Sequence, residues 1–160
     1  MKKFNLRYVG VQLPSVLILC ILLAACDAAP RNEFSGGGGV NLDEMEGSWL
    51  LINYWAEWCA PCREEIPELN ELYAERGERG LLVLGVNYDG LQGETLAKII
   101  KKMQVEFPVL VKDPRQIWAA AMPQVLPTTL VINPNGELVD ELVGPQTKLS
   151  LLAAIQSLED

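Results

Sequence analysis

Residues 49–69 read Trp49-Leu50-Leu51-Ile52-Asn53-Tyr54-Trp55, then Ala56-Glu57-Trp58-Cys59-Ala60-Pro61-Cys62, then Arg63-Glu64-Glu65-Ile66-Pro67-Glu68-Leu69. The first seven are apolar and aromatic almost without interruption, which is a buried strand pattern. After the cysteines, Ile66, Leu69 and Leu72/Tyr73 recur at helical spacing while Glu64, Glu68, Glu71 and Glu75 occupy other faces. A strand, a turn and a Cys-x-x-Cys that opens a helix form a redox context. Pro61 suits the first helical turn, where its missing N–H has no partner to lose and its φ is already helical. The unpaired N–H groups and positive dipole end of that helix favour a thiolate on Cys59. Cys62, three residues on, lies on the same face within disulfide reach but one turn deeper. Cys59 is therefore expected to attack and Cys62 to resolve. Pro67, inside the helix, is expected to kink it.

The chain has 160 residues and four cysteines but no histidine. Without histidine, His-ligated zinc or haem, Ser-His-Asp triads and Cys-His proteases are excluded. Two thiolates alone are half a structural zinc site, and a static disulfide closing so short a loop gains little from chain entropy. We therefore expect no metal and no cofactor. Thirteen basic residues face 21 acidic ones, a net charge of −8. A field of that sign repels phosphate, so nucleic acid is not an expected partner.

Upstream, Lys2, Lys3 and Arg7 precede the apolar run Val16-Leu17-Ile18-Leu19-Cys20-Ile21-Leu22-Leu23 and Ala24-Ala25. That order is a secretory signal over residues 1–25, too short an unbroken run to be read first as a spanning helix. Leu23-Ala24-Ala25-Cys26 resembles the bacterial lipobox, which implies lipid modification of Cys26 and its position as the first mature residue. Asp27 is similar to the residue that retains many Gram-negative lipoproteins in the inner membrane. Residues 27–40 lack either period and contain four consecutive glycines. With Cys26 they are expected to form a flexible tether over 26–40, leaving residues 41–160 as the domain. Fourteen flexible residues span about 20 Å root-mean-square.

Downstream, Leu81-Leu82-Val83-Leu84-Gly85-Val86-Asn87-Tyr88 is too continuously apolar for a surface strand and predicts a central parallel one. Leu96, Ile99, Ile100 and Met103 give an amphipathic helix. Pro108 to Val111 predicts a short strand and Arg115 to Ala121 a short helix. Thr128 to Ile132 and Leu138 to Val143 flank Asn133-Pro134-Asn135-Gly136, a hairpin signal. Thr147 is placed to cap a last helix carrying Leu149, Leu152, Ile155 and Leu158. Interleaved strands and helices ending in a hairpin and a helix make an α/β sandwich.

From about residue 40 onward the chain resembles the thioredoxin superfamily, and within it the membrane-tethered TlpA-type proteins. Trp55 to Cys62 looks like the thioredoxin active-site stretch, with Ala60 where glycine is usual. Arg63 to Leu69 looks like the TlpA-type continuation, with a Glu three residues and a Pro five residues after the second cysteine. Val125-Leu126-Pro127-Thr128-Thr129-Leu130-Val131-Ile132 is similar to the cis-proline loop and its strand. The resemblance implies a thioredoxin-like three-layer α/β/α sandwich, with a central mixed sheet and a TlpA-type insertion before the cis-proline strand.

It also implies roles. Thiol-disulfide exchange proceeds by attack of Cys59 on a substrate disulfide and release by Cys62. In the wider superfamily a buried acid on the preceding strand takes the proton from the second cysteine; Asn53 stands there and cannot titrate. Glu65 is the TlpA-type substitute, expected to be partly buried with a raised pKa. Glu57 is a weaker candidate. Leu126 and a cis Pro127 are expected to pair with a substrate segment, and Trp58 to border the nucleophile as a docking surface. The resemblance further implies disulfide-containing extracytoplasmic substrates, apocytochrome c among them, a transmembrane electron donor, and a lipid-anchored place on the periplasmic side of the inner membrane. Ala-Pro between the cysteines lacks the charge or histidine of strong oxidants, which favours a reductase. A disulfide oxidase or isomerase, and a non-catalytic binding or chaperone module, are the alternatives. A lone peroxidatic cysteine in a Thr-x-x-Cys setting is not matched, because Ala56 stands where the threonine would be.

Overall fold

The computed structural model describes residues 32–42, 45 and 47–159. The expected signal segment, the expected lipidation site at Cys26 and the first part of the expected tether lie outside the described residues. Among the described residues no helix is long and apolar enough to cross a membrane.

The run Trp49–Trp55 forms a strand, β3, buried along its whole length. Alternation sends Leu50, Ile52 and Tyr54 into one core and Leu51 and Trp55 into another on the opposite face. The helix α1 (Ala60–Ala74) follows, continuing through Pro67, and a single helical turn at Arg76–Arg79 leads to β4 (Leu81–Asn87). Then come α2 (Gly93–Met103) and β5 (Val109–Leu110). A 3-10 turn at Arg115–Trp118 precedes β6 (Thr128–Ile132), β7 (Leu138–Val143) and α3 (Lys148–Glu159).

The sheet is five-stranded in the order β5-β4-β3-β6-β7. β3, β4 and β5 are parallel, while β6 runs antiparallel to both β3 and β7. The steps β3-α1-β4 and β4-α2-β5 move in the same direction across the sheet, and right-handed crossovers therefore place α1 and α2 on the same face. There Ile66, Leu69, Leu72, Leu96, Ile99 and Met103 pack with Leu151 and Ile155 of α3. The other layer is thinner. Phe34, Val40, Leu42, Met45, Trp118 and Ala120 cover Leu50, Ile52, Tyr54, Leu84 and Val86. The Tyr54 hydroxyl donates to Asp113 Oδ1 at 2.7 Å, tying that layer to the sheet. This is the thioredoxin-like mixed-sheet fold expected, with the α2–β5 unit standing between β4 and the strand after the cis proline, where the insertion was expected. However, α1, α2 and α3 all pack on one face, and among the described residues the other face is covered by the residues before β3 and the 3-10 turn rather than by an α-helical layer.

Gly85 shows how closely α2's connection packs. A Cβ there would stand 2.9 Å from both Phe107 Cε2 and Trp55 Nε1. No side chain fits without displacing one of those rings.

Two further expectations differ from the structure. Residues 32–40, read as part of the tether, are folded. β1 (Asn32–Glu33) pairs antiparallel with β2 (Gly39–Val40), and Gly36, Gly37 and Gly38 turn between them with positive φ. The hairpin closes the edge of the sheet, because Ser35 N donates to Val109 O at 2.8 Å and Val111 N to Glu33 O at 2.9 Å. Consecutive glycines signal conformational freedom, but a tight turn uses the same freedom. In α3 the apolar face is Leu151 and Ile155, whereas Leu149 is 75% exposed and Leu158 is 40% exposed. The helix is apolar nearly all round, so spacing alone left its rotation open. Its start is as expected: Thr147 Oγ1 accepts from Ser150 N, and Ser150 Oγ accepts from Thr147 N.

Candidate active site

The carboxyl end of β3 delivers the chain into the turn that carries Trp58 and Cys59. Cys59 is the N-cap of α1 with extended backbone (φ −81°, ψ 105°), and its Sγ accepts from Cys62 N at 3.2 Å. A donor aimed at that sulfur and the positive end of a 15-residue helix both stabilise negative charge on it. Cys59 and Cys62 are joined as a disulfide, with Cα atoms 5.3 Å apart. Cys59 keeps 4% of its surface exposed and Cys62 none. Outside reagents therefore meet Cys59 first.

Trp58 projects from the turn, 63% exposed. Its indole N–H donates to both carboxylate oxygens of Asp89 at 3.1 and 3.2 Å, and its ring stands edge-on to Tyr88 at 6.2 Å. The loop after β4 thus holds the indole beside the cysteine turn. Asp89 was not singled out by sequence reading, and an exposed Asp in a turn carries no signal by itself. Glu57 is engaged elsewhere, since Lys102 Nζ lies 2.6 Å from its Oε1. That contact takes up Lys102, and Glu94 takes up Lys98 on the same helix.

The Leu126–Pro127 bond is cis. Thr128 pairs with Tyr54, so Pro127 sits at the same end of the sheet as the cysteine turn. Leu126 is partly buried and packs on the cluster that contains Cys59 and Cys62. Pro127 O accepts from Gly144 N at 2.8 Å, joining this loop to the one before α3.

Beneath the cysteines, Glu65 is 1% exposed on the buried face of α1, one turn after Cys62. Asn53 Nδ2 donates to Glu65 Oε2 at 2.8 Å, and Gln146 N donates to Oε1 at 3.1 Å. Burial pushes the carboxyl pKa up to about 7, against the pull of those two donors toward the charged form. A carboxyl poised there exchanges protons at neutral pH. The structure thus gathers Trp58, Cys59, Cys62, Glu65, Leu126 and Pro127 at one end of the sheet. Sequence reading missed that Asn53 is bonded to Glu65 and also to Thr129 Oγ1, at 2.9 Å. The signal was present, because an amide inside a continuous apolar strand must find a partner.

Among the described residues no cluster of three or more acidic or cysteine side chains is disposed to hold a metal ion.

The comparisons with known proteins agree with this layout. The chain is 29% identical over 122 residues to the thiol-disulfide oxidoreductase ResA of Bacillus cereus (strain ZK / E33L), covering 76% of this chain and 70% of that one. It is 31% identical over 116 residues to the thiol-disulfide oxidoreductase ResA of Bacillus subtilis (strain 168), covering 72% and 64%. The chain thus spans about two thirds of the length of these relatives. The exposed lipoprotein thioredoxin Etrx1 of Streptococcus pneumoniae strain TIGR4 shares the fold, with a TM-score of 0.66 at 24% identity over 80% of this chain and 99% of that one. A family model described as the AhpC/TSA family matches residues 26–141. With that match across most of its length, and with a helix-capping Cys59 bridged to a buried Cys62 on a thioredoxin fold, this chain belongs to the AhpC/TSA family of the thioredoxin superfamily, in its thiol-disulfide oxidoreductase branch.

Proposed function

We propose that the protein is a lipid-anchored thiol-disulfide reductase that works on the periplasmic side of the inner membrane. The observation that carries the chemistry is the asymmetry of the pair: Cys59 receives a backbone N–H at the helix start, and Cys62 is fully buried beside Glu65. In the reduced enzyme the Cys59 thiolate attacks one sulfur of a substrate disulfide, and the other substrate sulfur leaves as a thiolate that takes a proton from solvent. Glu65 then accepts the proton of the Cys62 thiol. The resulting thiolate attacks Cys59 Sγ, closes the Cys59–Cys62 bond and expels the first substrate sulfur, which is protonated in turn. Two electrons pass to the substrate, and the enzyme is left oxidised. Regeneration needs an external dithiol, which in an oxidising compartment is most simply a membrane protein drawing on cytosolic electrons. Anchoring through Cys26 would keep the domain beside such a donor. Substrates are proposed to be extracytoplasmic protein disulfides, with apocytochrome c before haem attachment as one candidate. Leu126, Pro127 and the exposed Trp58 would border the substrate segment.

Cys62→Ser supplies the test. The variant should accumulate Cys59-linked mixed disulfides with extracytoplasmic proteins, recovered in membranes and released from them when Cys26 is also replaced. Failure to trap any protein would contradict the reductase reading. Complexes that stay soluble whatever residue stands at 26 would contradict the anchor.

A further inference from the structure

Asn53 is wholly buried in the middle of β3. Its amide nitrogen donates to Glu65 and Thr129, but its Oδ1 accepts nothing. An unpaired buried acceptor carries a desolvation cost that an aliphatic residue in this strand would avoid. Local packing does not account for an amide here, whereas its bond to Glu65 does. We propose that Asn53 is a positioning residue of the reaction, holding the Glu65 carboxyl in place from the strand beneath α1 and so governing how readily Glu65 takes the proton of Cys62. The proposal rests on the reading of Glu65 as proton acceptor.

The surroundings isolate the effect. Glu65 stands one turn from Cys62 and from Glu68 along its own helix and accepts from Asn53 on β3 and Gln146 in the loop before α3; Asn53 in turn donates to Thr129 on β6. The charged groups of this region have partners of their own. Glu68 Oε2 accepts from Lys148 N at 2.8 Å, and Lys148 Nζ lies 3.0 Å from both Glu71 and Glu75. The titration of Glu65 is accordingly set by burial and by the two N–H donors, of which Asn53 stands nearer, at 2.8 Å against 3.1 Å. Gln146 donates through its backbone and cannot be removed by changing its side chain. Asn53 can. Without its amide the carboxyl keeps one donor, the charged form loses support, and one oxygen is freed to rotate away from its present direction.

The test uses the full chain carrying a mixed disulfide between Cys59 and 2-nitro-5-thiobenzoate, whose release by Cys62 is followed by absorbance across pH. In the wild type the rate should rise through a midpoint near neutrality. In Asn53→Ala the midpoint should move up by roughly one pH unit, slowing release about fivefold at pH 7 as the ionised fraction falls. The infrared carbonyl band of protonated Glu65 should persist to correspondingly higher pH. Asn53→Thr, which suits a buried strand and cannot reach Glu65 as the amide does, should show the same shift and serves if the alanine variant fails to fold. An unchanged midpoint and an unchanged band in a folded variant would overturn the proposal, whatever happens to stability. Glu65→Gln separates the two ideas: it should abolish the limb, and a limb that survives there shows that Glu65 is not the proton acceptor.

Discussion

Cys59→Ser should lower disulfide-reducing turnover by roughly 10³-fold or more, because a serine hydroxyl has almost no ionised fraction at neutral pH and the thiolate is the attacking species. The loss should appear with every disulfide substrate, small or protein, since the first bond made in the cycle is the one removed. The fold should survive. Cys59 contributes its sulfur as acceptor for Cys62 N, and a serine hydroxyl caps a helix by the same geometry. Measured by insulin reduction alongside far-ultraviolet circular dichroism, the expected result is an inactive protein with an unchanged spectrum. Residual turnover within tenfold of wild type would show that another group performs the attack.

Glu65→Gln is expected to have two effects with one cause. Closure of the mixed disulfide should slow by about 10²-fold at neutral pH, the usual lower bound for loss of a general base. Stability should change in the opposite sense. The carboxyl pKa is raised from 4.5 to about 7 in the folded chain, so the folded state binds this proton more tightly than the unfolded state. Stability from this group is complete below pH 4.5 and is lost as pH rises toward 7. The cost of the buried charge above that window is on the order of 3 kcal/mol. The glutamine variant carries no charge to bury, and the unpaired Asn53 Oδ1 can accept from the new side-chain amide once the Asn53 amide turns over. Urea unfolding at pH 8 should therefore find the slower enzyme the more stable one, with the two proteins converging near pH 4. A glutamine variant less stable at both pH values would show that the Glu65 hydrogen bonds outweigh its desolvation.

The opposition between rate and stability is typical of a group kept for chemistry. It also marks how far the site was legible. Residues 49–69 carried the strand, the helix and both thiols in one stretch, because a continuous apolar run gives way to a 3.6-residue period at the cysteines themselves. The position of Glu65 on the buried face follows from i, i+3 spacing to Cys62. The hairpin at Asn133 to Gly136 and the cap at Thr147 are local signals and were equally readable. What could not be read was set by contacts distant in sequence. Asn53 meets Thr129 across β3 and β6, and Gln146 reaches Glu65 from 81 residues away. The same is true of the glycine stretch before residue 40, which looks like free chain until the edge of β5 is there to receive it. In α3, Leu149 and Leu151 are alike in type, and the packing of α1 decides which is covered. Asp89 acquires meaning only when the loop after β4 brings it to the indole of Trp58.

The most direct measurement is the equilibrium of the Cys59–Cys62 pair with glutathione and dithiothreitol, followed by thiol alkylation. A dithiol that works as a reductant should reach a midpoint potential toward the thioredoxin end, about −270 mV. A potential about −120 mV would mean that the reduced form is strongly stabilised and that electrons flow the other way. A pair that cannot be reduced and reoxidised at all would contradict the account at its root.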